Sequence, residues 1–444
     1  MTTLPITHSP SLAVALDLFL HDVADWVHTC MAEYAPLPPS NVHDQATYTT
    51  AWLPYIQVTD DRDAVDFMFK LRNQIHQHFH QSGAWRHGYW KNHEVHHGTE
   101  HFELFLAGLY TVAPDDGNTI GQFIDAAEHI GNWVTDAPPW FDWDSGLFRS
   151  MWLGTETVKS EPALAANVPD HFRCANLCLC AYEMTKEQQY LELPTQSIGL
   201  WADAIVDGDK LPVALTKTGP IYALADAADS AYRAFAGQAP ELEAAVDRAE
   251  NFLASNGIST LLTLWQHTAQ PRFLQAAEKL MDVLAGQLHD PTAGAAADII
   301  RSYRRLTASR RYDQAILAAA AAPNAAPITL AIDPAPRRAR RPSGIGKRQD
   351  MPNWFEDGHA HQHNPILLAT AAEISGDEAL ATQSVDLARA HFLLARRVYP
   401  HGRHHGCSAR TVSAIARGHG RENNAGMVTG VLAPLWQAAE SGLF

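Results

Sequence analysis

Long apolar runs are missing from this sequence: no uninterrupted stretch is long enough to span a bilayer, which excludes a helical membrane span. The first residues lack a basic segment, and the apolar stretch within 12–31 is broken by Asp17, His21, Asp22 and Asp25, which argues against a secretory leader. Cysteine is scarce, with five in 444 residues, and three of the five crowd together as Cys174, Cys178 and Cys180. An odd set at that spacing suits neither a disulfide framework nor a metal cluster, and reads as small apolar side chains on a buried helix. A reducing, cytoplasmic location is therefore expected. Positive charge is also in deficit: 33 Lys and Arg against 49 Asp and Glu give a net charge of −16 with histidine neutral. A nucleic-acid binder carries a basic face, so nucleic acid is excluded as a partner. Strand patterning is confined to the short run 328–332.

What the sequence does contain is one helical hairpin written about six times. An apolar helix, a short polar turn and a second helix occupy 49–80, 101–134, 172–206, 258–288, 297–322 and 365–395. The turns hold the expected breakers, Asp60-Asp61, Pro114-Asp115-Asp116-Gly117 and Ser375-Gly376-Asp377. One hairpin cannot bury its apolar face alone, so the units must stack or close on each other. The expected fold is all-α, an (α/α)6 or (α/α)7 toroid making one domain over 1–444, with helices 12–31 and 425–439 as a closing pair. The Pro-rich, basic segment 335–351 breaks the rhythm and is expected to be a mobile loop.

In such a ring the loops between hairpins form the rim of a funnel, where function resides. Those loops carry Trp85, Trp90, Trp140, Trp143, Trp152 and Trp354 among His, Arg and Asp residues. Aromatic faces beside such polar groups suit a sugar ring, and Trp90, Trp143, Trp354 and His361 are candidate substrate contacts. The expected partner is an acidic oligosaccharide or polysaccharide.

The segment His93-Glu94-Val95-His96-His97 matches H-E-x-x-H, and on a helix His93, His97 and His101 would share one face. A metalloprotease would place zinc on two histidines and use Glu94 as base, but no further ligand follows at the usual spacing. The three histidines are nonetheless candidate ligands, with His359, His361 or His363 as additions. No organic cofactor is required; a divalent metal is the one group this set could hold.

Asp144, in Asp142-Trp143-Asp144-Ser145-Gly146, is the best candidate acid, because aromatic neighbours would desolvate it and raise its pKa. The alternative is a helix cap, and Asp170 carries the same ambiguity. These two segments, with Asn176-Leu177 and Tyr190-Leu191-Glu192-Leu193, resemble the aspartate-bearing segments of the unsaturated glucuronyl hydrolases. The resemblance covers about sixty residues, and implies an all-helical cytoplasmic ring with Asp144 and Asp170 as acid/base and assisting carboxylates in hydrolysis at an unsaturated uronic acid. More loosely the chain is similar to toroid polysaccharide lyases and sugar epimerases.

A lyase would neutralise the uronate with Arg, His or Asn and remove the C5 proton with Tyr or His. Tyr89, His97 and His404 are candidate catalytic residues on that reading. Arg173 is a candidate binding group, as are Arg403, Arg410, Arg421 and Asn423, which are set among the glycines of a basic C-terminal segment.

Overall fold

The computed structural model describes residues 10–39, 46–134, 136–161, 164–222, 245–288, 294–321, 328–329, 360–361 and 365–398. Within them the chain is mostly helical, and each expected hairpin is present. The first hairpin pairs a 3-10 turn and α2 (Leu53–Thr59) with α3 (Arg62–Gln81). The second runs through α4 (Val95–Glu100), a π-helical turn His101–Leu106 and α5 (Ala107–Val112) into α6 (Gly117–Ile130). The third is α7 (His171–Thr185) with α8 (Gln189–Asp207). The others pair Gly257–Thr268 with Pro271–Ala285, Gly294–Thr307 with Asp313–Ala321, and Pro365–Ser375 with Glu378–Val398.

Five of the six hairpin turns share one device. The first helix ends on a single left-handed residue: Asp60 (φ 54°), Lys186 (φ 62°), Ala269 (φ 53°), Ala308 (φ 55°) or Gly376 (φ 74°). Its amide bonds back to the last helical turn, as in Lys186 N to Tyr182 O (2.7 Å) and Ala269 N to Trp265 O (2.8 Å). Asp61 and Asp116 then cap the second helix, accepting the amides of Ala64 (3.1 Å) and Thr119 (2.7 Å).

Burial divides the two helices of a hairpin. In Pro365–Ser375 the first eight residues are all buried, and α7 is buried on nearly every side. α8 keeps an exposed stripe at Glu192, Leu200, Asp203 and Asp207. A helix apolar all round belongs inside, and one with a polar stripe belongs outside. Successive hairpins pack on one another: α6 on α7, α8 on Pro271–Ala285, and Asp313–Ala321 on Pro365–Ser375. Each fully buried side chain such as Phe172 or Trp201 contributes roughly 1.5–3 kcal/mol of apolar burial. The first helix, α1 (Pro10–Tyr34), lies against the last described one through Phe19–Phe392 (5.9 Å between ring centres), Trp26–Phe392 (5.3 Å) and the ion pair Asp22–Arg389 (2.6 Å).

Three strand pairs went unforeseen: β1 (Trp85–Arg86) with β2 (Tyr89–Trp90), β3 (Phe141–Asp142) with β4 (Leu147–Phe148), and β5 (Ala214–Thr216) with β6 (Gly219–Ile221). The helix Ala245–Ala254 is a further addition. The expected strand at 328–332 is represented by Ile328–Thr329, paired with Ala360–His361. No helix among the described residues is long and apolar enough to cross a membrane. The proposed loop 335–351 and the helix 425–439 lie outside the described residues.

One buried cation fixes the second hairpin on the first. Arg72 of α3, only 2% exposed, pairs with Asp116 and donates to the Thr119 hydroxyl (2.8 Å). Burial raises the pKa of Asp116, but the Thr119 amide and hydroxyl and the Arg72 charge outweigh it and hold the carboxyl below its ordinary value. A depressed acid contributes stability above its unfolded pKa and loses it as pH falls through the folded one. Asp116→Asn is therefore expected to cost about 1–3 kcal/mol at neutral pH, with the difference from wild type shrinking below about pH 4. Urea midpoints of both proteins across that range check this.

Candidate metal and acid–base site

The chain enters the site just before α4 through an isolated β-bridge. Glu94 pairs with Trp152 in an antiparallel bridge, held by Leu153 N to His93 O (2.9 Å) and Val95 N to Met151 O (2.8 Å). This bridge sets where α4 begins. Glu94 is its N-cap, with extended backbone (φ −76°, ψ 156°), and its carboxylate accepts the His97 amide (3.0 Å). The H-E-x-x-H residues therefore straddle a helix start. His93 precedes the helix, and the expected common face of His93, His97 and His101 does not form.

His101 is corrected for a second reason. It opens the π-helical turn and packs on Trp85 (4.6 Å) and Phe105 (5.6 Å). Its Nε2 has no hydrogen-bond partner among the described residues, and burial, helped by His76, lowers its pKa to about 3. It belongs to the aromatic core.

What forms instead is a compact polar cluster. His96 Nδ1 lies 3.2 Å from Asp170 Oδ1, and His96 Nε2 lies 3.7 Å from a Glu100 oxygen. His97 Nδ1 is in close contact with Glu94 Oε1, which also faces His93 Nδ1 at 3.5 Å. Donor atoms of His96, His97 and Glu100 lie within 4.8 Å of one another, as do those of His93, Glu94 and His97. Either trio offers the nitrogen and oxygen ligands that zinc takes.

Asp170 occupies the N-cap position of α7 without capping it. Its carboxylate turns instead to His96, to the Ser255 hydroxyl (2.9 Å) and to Arg173 (3.9 Å). Burial raises its pKa, but the charge and hydrogen bond of His96, with Arg173 and Ser255, win and hold it far below the ordinary carboxylate range. It is an ionised orienting group, unable to donate a proton near neutral pH. One turn along, Glu103 sits 4% exposed, accepting from Asn176 (2.8 Å) and Asn256 (2.6 Å). Here burial dominates and raises the pKa against those donors and Arg173. Asp170, Ser255 and Asn256 flank the starts of α7 and of Gly257–Thr268, so the N-terminal ends of helices from three hairpins meet in this cluster.

The other sequence candidates lie elsewhere. Asp144 is exposed, so the expected desolvation does not occur. It sits on the β3–β4 turn, which rests on Gln196 and Leu200 of α8, whereas Asp170 meets α4 and Ser255. Tyr89 is fully buried against Phe102, His129 and Trp140, and burial drives its phenol well above its ordinary pKa, which removes it as a base. Arg173 is 1% exposed and donates to the His96 carbonyl (3.0 Å), which makes it a strut instead of a substrate contact. Trp85 and Trp140 are core residues, Trp90 packs on Phe79 and Trp85, and Trp143 packs on Trp133 and Phe141 while donating to Gly131 O (3.0 Å). His361 lies in the strand opposite Ile328. Trp354, Arg403, His404, Arg410, Arg421 and Asn423 lie outside the described residues. His96, Glu100, Glu103, Ser255 and Asn256 were not foreseen; the i, i+4 spacing of His96 and Glu100 was the one signal available.

Removing the Asp170 charge deprives His96, Arg173 and the Ser255 hydroxyl of one shared buried acceptor. Asp170→Asn is expected to cost about 3 kcal/mol in a denaturation experiment at neutral pH. A loss below about 1 kcal/mol would show that the cluster is not a coupled unit. Comparison of the chain with protein-family models, with curated proteins and with solved structures gives no match in any of the three.

Proposed function

We propose that the chain is a divalent-metal-dependent enzyme whose ion is held by His96, His97 and Glu100. One observation carries this reading: two neighbouring histidines each present Nδ1 to a carboxylate, His96 to Asp170 and His97 to Glu94, beside the nearly buried Glu100. Metal-bound histidines characteristically give their second ring nitrogen to a carboxylate, which fixes the tautomer and aims the other nitrogen at the ion. Charge supports the reading too. Glu100 and Asp170 both face His96, Glu94 faces His93 and His97, and carboxylates set this close together with little exposure are stabilised by a cation. His97 is 33% exposed, so the centre is open to a substrate. When bound, such an ion polarises an oxygen or lowers the pKa of a water.

We further take the frame to be an (α/α)6 toroid, the six hairpins closing where α1 meets Glu378–Val398, and the substrate to be an acidic glycan cleaved at a uronic acid. The positive ends of α7 and of Gly257–Thr268 favour an anion. Elimination is preferred to hydrolysis by an Asp144–Asp170 pair, because Asp144 is exposed on the β3–β4 turn and Asp170 is committed to His96.

Metal analysis and activity test the two parts together. Purified protein should carry zinc or manganese near one equivalent, and saturation with that ion at a hundred times Kd should stabilise the fold by about 2.7 kcal/mol. Incubation with a panel of uronans should give the ultraviolet absorbance of a new conjugated double bond, lost on chelation and reduced at least about a hundredfold in His96→Gln. Asp144→Asn should retain activity. Absence of bound metal together with no thermal shift from either ion would overturn the proposal.

A further inference from the structure

Beside the cluster a second set of contacts runs outward from His97. The His93 ring lies 5.5 Å from that of His97 and parallel to the Trp152 ring, with 9° between planes and 6.3 Å between centres. The Lys159 ammonium then sits 3.7 Å from the centre of the Trp152 ring. The row is built into the backbone. Trp152 is bridged to Glu94 on one side, and on the other the segment turns back through Gly154 N to Thr157 O (3.0 Å), the Leu153–Val158 bridge and Lys159 N to Trp152 O (3.2 Å). The Trp152 indole is held by Asn92 through its ring N–H. Nearby Lys91 is neutralised by Glu156 (2.8 Å), whereas no carboxylate lies within ion-pairing distance of Lys159 among the described residues. A half-buried ammonium fixed on an indole face, with its charge unmatched, is a preorganised anion receptor.

We infer that Lys159, held by Trp152, recognises a carboxylate of an acidic oligosaccharide bound across the metal cluster, and so determines specificity for charged over neutral sugars. The inference rests on the carbohydrate reading above. Lys159 touches none of the metal-ligating residues, so its substitution leaves the centre intact.

The test is calorimetric binding of a uronic-acid trisaccharide and of its fully methyl-esterified form to wild type, Lys159→Gln and Lys159→Arg. Wild type should bind the acid at least about tenfold tighter than the ester. Lys159→Gln should lose that preference by weakening the acid alone, and Lys159→Arg should restore most of it, because a single charge-assisted contact is worth about 1.5–3 kcal/mol. Equal affinity of wild type and Lys159→Gln for the acid would overturn the assignment of Lys159 while leaving the carbohydrate reading in place. Failure of wild type to bind either sugar would overturn that reading and this inference with it. Unchanged metal content in Lys159→Gln separates a lost contact from a damaged centre.

Discussion

A carboxylate can leave water only where donors or opposite charge meet it, and in this chain the meeting is arranged by helix ends. Asp170 at the start of α7 is satisfied by a histidine from α4, an arginine from its own helix and a serine preceding Gly257–Thr268. Glu103 reaches the same two neighbours through Asn176 and Asn256. Three hairpins that share mainly apolar contacts are thus registered by polar ones. Apolar packing tolerates sliding, but a buried ion with its partners does not, since breaking one bond leaves an uncompensated charge.

The hairpins were legible because their signal is repeated and physical. Helical spacing of apolar residues recurs six times and Asp-bearing turns three times, and the structure places helix boundaries within a few residues of those read from 172–206, 258–288 and 365–395. The strand pairs were not legible because two or three residues leave no alternation to detect. The π-helical turn was hidden too, since one extra residue in a helical turn changes no composition.

The site was legible in composition and misleading in detail. Segment 93–97 and Asp170 stand out in the sequence, and both belong to the cluster, whereas His101 belongs to the aromatic core. The expected face of three histidines does not form because helix α4 starts at Val95, and a glutamate cap set by a bridge to Trp152 is not written in the local sequence. Asp144 looked desolvated because its neighbours are aromatic, yet those rings pack downward and leave the carboxylate outside. Pairing of His96 with Asp170 is a property of hairpin stacking, which spacing along the chain does not encode.

The contact between α1 and Glu378–Val398 also orders events in time. Asp22 and Arg389 are 367 residues apart, so their meeting closes one of the longest loops in the molecule. A ribosome adding about 5–20 residues per second would leave Phe19 of α1 waiting for tens of seconds before its partner is made. The Phe19 side of the opening helix therefore stays exposed late into synthesis, whereas Trp26 has Trp52 to rest on almost at once.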